Sequence, residues 1–93
     1  MALRFVGMDP NTGGDGSPTV WVDEEKQEIV IQGWKLDPVT TDEIAGTEWV
    51  PGHHRGIPDH ETVVRIPARM IQILRKACDD AERAGLRDDA EGG

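Results

Sequence analysis

Three histidines crowd one stretch of this chain. His53, His54 and His60 lie in HHRGIPDHE, with Asp59 and Glu61 flanking the last of them. Imidazoles and carboxylates are zinc donors, so these residue types are able to hold a metal. Their spacing argues against it. The first two histidines are adjacent, no cysteine is near, and neither a zinc finger nor an HExxH helix is matched. His53, His54 and His60 are read as loop residues and kept as the only metal candidates. No cofactor is expected.

Other reactive side chains fit a reaction no better. Residues 9–18, DPNTGGDGSP, have the glycines of a phosphate loop but no Lys with Ser or Thr ahead of a helix. Asp9, Asn11 and Asp15 suggest calcium, yet the twelfth position from Asp9 is Val20 rather than Glu. This stretch reads as turn chemistry. Cys78 is followed by Asp79 and Asp80, which disfavour a thiolate. Asp79, Asp80 and Glu82 read as a solvated helix face. No serine has a triad or nucleophile-elbow context. An enzyme is not expected.

Something must position these groups, and 93 residues allow one small domain. The formal charge is -8, which argues against phosphate-backbone or anionic-membrane binding. Residues 62–84 carry five basic and three acidic side chains, including Arg69, Lys76 and Arg83. They read as the solvated outer surface of the helix: too dilute for a reader of nucleic acid, with no second helix for a helix-turn-helix. A single cysteine forbids an intrachain disulfide. No apolar run reaches the ~20 residues of a membrane span, and the first ten residues do not read as a signal peptide. A cytoplasmic location is the expectation.

Local pattern predicts an α+β domain, with a small antiparallel sheet of three or four strands packed on one C-terminal helix. Strands are expected around residues 3–6, 18–23 and 28–35, the last two joined by a turn of three to five residues, and again over 62–66. The sheet thus draws on residues 3–36 and 62–66. Residues 37–61 hold six acidic side chains against Arg55, with three prolines and three glycines, and read as a mobile or inserted acidic loop. Trp49 and Val50 are candidates to pin it. Pro67 opens a helix over 67–84, whose Met70, Ile73, Leu74, Ala77 and Ala81 form an apolar stripe. Ile71 and Cys78 widen it. Lys76 and Asp80 are spaced for an ion pair. Gly85 suits the helix end, with Leu86 to complete its contact. Residues 85–93 read as a frayed tail.

Side chains alternate across a strand. One assembly stacks Val20, Val22, Ile29, Ile31, Val64 and Ile66 beneath the helix. It leaves Trp21, Val30, Trp34 and Val63 on the opposite face. A solvated sheet face is normally polar, and this one is not. The four residues are therefore the expected interface. They are covered by the chain itself through Trp49 and the N-terminal strand, by a second copy, or by another protein.

The order GGDGSP, TVWVD, EIVIQGWK and TVVRIPARMIQIL resembles small actinobacterial domains of the BldB and WhiJ-associated kind. The resemblance covers residues 13–36 and 62–78. The chain departs from it in the long 37–61 segment and in Ile66 before Pro67, where a serine is usual. The resemblance implies a self-associating partner of helix-turn-helix regulators, without catalytic residues. Together these readings predict a small acidic protein–protein interaction module, a homodimer through the sheet face, with a regulatory protein as further partner. The alternative is a small-ligand or metal-binding module using the histidine loop 53–61.

Overall fold

The computed structural model describes residues 3–11 and 16–85. The fold is α+β. Strands β1 (Leu3–Met8), β2 (Thr19–Asp23) and β3 (Glu28–Gln32) form an antiparallel sheet in the order β1-β2-β3. A second, two-stranded sheet pairs β4 (Trp34–Lys35) with β5 (Val64–Arg65). Helix α1 spans Pro38–Gly46, and a 3-10 turn at Ala68–Met70 leads into helix α2, Ile71–Arg83. The chain divides into two compact units, Met1–Gly33 with Ile66–Gly93, and Trp34–Arg65.

The first unit owns the core. Val20, Val22, Met70 and Ala77 are buried, and Val6, Ile66, Ile73, Leu74 and Ala81 pack around them. The helical spacing expected for α2 is thus the spacing that fills the core. Ile71 and Cys78 do not widen the buried stripe; both are exposed. They lie beyond the arc that can reach the sheet. The α-helix proper starts at Ile71 rather than Pro67, because neither Pro67 nor Met70 offers a side-chain cap and the chain enters through the 3-10 turn. At its other end Gly85 adopts φ +77°, the left-handed conformation that suits glycine. The contact expected of Leu86 lies outside the described residues.

Two details set the spacing of helix and sheet. A β-bulge interrupts the β1–β2 register between Phe5 and Gly7. It lets Val6 and Gly7, neighbours in sequence, both serve the helix side. At Gly7 a Cβ would stand 3.1–3.3 Å from three carbons of Ile73, so α2 rests on bare backbone there.

A bidentate ion pair ties the same region together. Asp9 is buried, and its two carboxylate oxygens accept from Arg69 Nε and Nη2, each at 2.7 Å. Asp9 also accepts from the Asn11 N–H at 3.1 Å, and its own N–H donates to the Pro18 carbonyl at 2.9 Å. The Asp9 hydrogen bonds hold the Arg69 guanidinium above its ordinary pKa, against the opposing effect of desolvation. Arg69, expected on the outer helix surface, is a structural clamp.

The β2–β3 turn has four residues, Glu24–Gln27, within the expected length. The Lys26 N–H donates to Asp23 at 2.9 Å, and Gln27 takes φ 59°. On α2, Lys76 Nζ donates to Asp80 at 2.9 Å, and Arg83 reaches the same carboxylate at 3.2 Å. The Lys76 hydrogen bond leads in holding Asp80 below the usual carboxylate range. The charges of Lys76, Arg83 and Arg4 add to it, against the burial of Asp80, which is not on the solvated helix face expected for it.

Three expectations are corrected. EIVIQGWK is not one strand: it breaks at Gly33, so Trp34 and Lys35 belong to the second sheet. Val64 therefore does not join the layer under α2, although Ile66 does. Residues 37–61 are not loop throughout, since α1 occupies Pro38–Gly46. Its signals are local: Asp37 is the N-cap and Pro38 stands at the helix start. No apolar stripe betrays it, because none of its residues is buried.

Replacing Met70 by Ala is expected to cost about 2–5 kcal/mol in urea unfolding, and Ile71→Ala no more than about 1 kcal/mol. Equal losses would contradict the edge drawn here for the core. Arg69→Met and Asp9→Asn are each expected to lower the urea midpoint more than Arg4→Met, which breaks the exposed Arg4–Glu24 pair. Indistinguishable midpoints would make the Asp9 clamp an ordinary surface pair.

Candidate interaction surface

Strand register sorts the first sheet into two faces. Residues directly opposite one another project to the same side. On the helix side lie the rows Arg4–Val22–Ile29 and Gly7–Val20–Ile31. On the other side lie Leu3–Asp23–Glu28, Phe5–Trp21–Val30 and Met8–Thr19–Gln32. The bulge keeps Leu3, Phe5 and Met8 together although their numbers change parity.

That second face is apolar at its centre. Phe5 is 58% exposed, Leu3 and Met8 are nearly as open, and Trp21 and Val30 are half-buried. Asp23 and Glu28 place carboxylates along one end of it. Thr19 is buried within it and donates its hydroxyl to the Ser17 carbonyl at 2.7 Å. The Gln32 amide donates to the same carbonyl at 2.8 Å. One border is thus pinned by hydrogen bonds while the centre offers rings and aliphatic carbons.

Of the four residues expected at the interface, Trp21 and Val30 stand directly opposite each other in this face. Trp34 and Val63 belong to the second unit and are not on this sheet. Expecting all four on one sheet required strand 28–35 to be continuous, and Gly33 interrupts it. Leu3, Phe5 and Met8 take their place. Alternation of Leu3 and Phe5 with Arg4 is visible in the sequence; the phase change that adds Met8 is not.

The helix side has a gap of its own. Helix α2 packs against β1 and β2. Val20 and Val22 are fully covered, whereas Ile29 and Ile31, one strand further out, stay 41% and 40% exposed.

Polar contacts organise the second unit. The Asp37 carboxylate accepts from the Thr40 N–H at 3.0 Å and from the Thr40 hydroxyl at 2.8 Å. Arg65 on β5 donates to Asp37 at 3.2 Å and to the Thr40 hydroxyl at 2.6 Å. The Thr40 hydrogen bonds lead in lowering the Asp37 pKa to about 2. Trp49 donates its indole N–H to the Ile44 carbonyl at 3.0 Å, yet its ring and Val50 remain exposed. A cavity of about 310 Å³ is lined by Lys35, Leu36, Ile57, Glu61 and Val63 among others.

His53, His54 and His60 are all exposed. His53 Nδ1 lies 3.3 Å from the His54 carbonyl, and His60 Nε2 lies 3.7 Å from Glu61. Among the described residues no three metal-ligating side chains come together. No described helix is long and apolar enough to cross a membrane.

The Asp37 cap has a pH signature. A folded-state pKa below the ordinary 3.8 means that the carboxylate favours the fold above about pH 4. That contribution is lost as the pH falls through about 2. In an NMR titration the Asp37 carboxyl and the Thr40 amide are expected to share a midpoint near 2. Asp37→Asn should keep the cap and abolish the step. An Asp37 midpoint at 3.8 would refute the arrangement.

Neither a protein family, nor a curated protein, nor a solved structure matches this chain.

Proposed function

We propose that this chain is a small acidic protein–protein interaction module that self-associates and serves as the accessory partner of a transcriptional regulator. One observation carries the reading: the sheet face built on Phe5, Trp21 and Val30 is left open while α2 occupies the other side. Aromatic and aliphatic groups in such a face gain most by exclusion from water against another surface. Its acidic end, Asp23 and Glu28, and the chain's charge of -8 suit a partner with a basic rim. Regulators that bind nucleic acid carry such basic surfaces. The role is binding, not catalysis.

A second reading, small-ligand binding by the segment 53–61, draws on one observation. Ile57 and Glu61 of that segment line a cavity in the second unit together with Lys35 and Val63. The three imidazoles are not among its lining residues, so a ligand there would meet Lys35 and Glu61 rather than histidine.

Two measurements test the first reading together. Light scattering during size exclusion, over a range of loading concentrations, should approach twice the 10.2 kDa mass of one chain. Wild-type protein used as bait in native lysate should retain a regulator that a Phe5→Asp/Trp21→Asp bait loses. A monomer at every concentration, together with identical captures by both baits, would remove the reading.

A further inference from the structure

The outer edge of β3 combines features that the rest of the sheet lacks. Among the described residues no strand but β2 pairs with β3, so half of its backbone N–H and C=O groups face outward. Exposed edges are normally blunted by proline, lysine or a bulge. Edge strand β1 has its bulge beside Val6 and carries Arg4. Strand β3 has no proline, basic residue or bulge, and its one charge, Glu28, stands at its end: it reads Glu28-Ile29-Val30-Ile31-Gln32 in unbroken register with β2.

That sequence is self-complementary about its centre. Run antiparallel against itself with Val30 opposite Val30, it sets Ile29 opposite Ile31 and Glu28 opposite Gln32. Like charges are kept at opposite ends. The result is a two-fold contact, the commonest symmetry of homo-oligomers. The side chains agree with it. Ile29 and Ile31 are left 41% and 40% exposed where α2 stops short of β3. Two such pairs brought together form a cluster of four isoleucines on the helix side.

We propose that two copies of this chain pair antiparallel along β3, Val30 against Val30 of the second copy, to form one six-stranded sheet. The pairing rests on the self-association proposed above but places it at the sheet edge, so that the open face stays free for a further partner. Backbone hydrogen bonds across the edge hold the copies together, and the isoleucine cluster fixes the register, because a shift by one residue would turn those side chains to the other face. The apolar row Phe5–Trp21–Val30 then continues across the symmetry axis into its copy. The face offered to a partner doubles in length.

Cysteine cross-linking reads the register directly. In a Cys78→Ser background, Val30→Cys places the two new Cβ atoms within roughly 4.5–5.5 Å, near disulfide distance. Glu28→Cys leaves its two copies about 13 Å apart along the strands. Under mild oxidation Val30→Cys is expected to form the covalent dimer at least about tenfold faster than Glu28→Cys. The double variant Glu28→Cys/Gln32→Cys should recover fast cross-linking. It also covers the case that Val30→Cys disturbs the fold, which far-UV circular dichroism reports. Ile29→Lys/Ile31→Lys should halve the mass seen by light scattering, while Phe5→Asp leaves it unchanged. A dimer in which neither Val30→Cys nor the double variant cross-links faster than Glu28→Cys, or one that Phe5→Asp dissociates and Ile29→Lys/Ile31→Lys does not, overturns the β3 pairing alone. A monomer at every concentration overturns both the pairing and the self-association beneath it.

Discussion

A buried carboxylate cannot remain charged in an apolar setting unless cations and N–H groups surround it. In this chain that constraint falls on Asp9. Its side chain has no access to solvent, whereas the side chain of Arg69, 60 residues later, stays 43% open to water. The pair is therefore one-sided: the acid is enclosed and the base acts as its stopper. Arg69 immediately precedes Met70, which is fully buried. Holding Arg69 at the end of β1 fixes both how far α2 slides and which way it turns. Gly7 then receives Ile73, and Ala77 comes to rest over the sheet. Placed this way, the helix shields β1 and β2 and leaves β3 at the margin.

The second unit is held differently. No residue from Trp34 to Arg65 is buried. Its order comes from the Asp37–Thr40–Arg65 network, a two-residue strand pair and the indole of Trp49 on a carbonyl. Such exposed hydrogen bonds hold less strongly than apolar burial, and segments built from them open most readily. The core-bearing unit and this polar one thus differ in the kind of force that organises them.

Much of the first unit was legible because it obeys short-range periodicity. Val20 and Val22 alternate with Trp21, and Met70, Ile73, Leu74 and Ala77 recur at helical intervals. Those rules report which way a side chain points. They do not report how far the helix extends over the sheet, which is why Ile29 and Ile31 were expected under α2. They are silent about contacts distant in sequence, so Asp9 looked like a turn residue and Arg69 like solvated surface. Helix α1 was written locally, in Asp37 and Pro38, but without burial there is no stripe, and a periodicity search passes over it. Gly33 was the hardest to read. A glycine inside an apolar run is compatible with a continuous strand or a broken one, and the choice moves Trp34 from one sheet to another.

The bulge in β1 gives the strand one position at which its length can change without a change of register. By accommodating one extra residue, it reconciles an odd-numbered pair, Leu3 and Phe5, with an even-numbered Met8 on one surface. Loss of the Val6 codon would leave Arg4, Phe5, Gly7 and Met8 on their present sides, now in a regular ladder with β2, at the cost of the Val6 contact with the core. Evolution thus has one residue of slack in that strand, while the close approach of Ile73 leaves no room to enlarge Gly7.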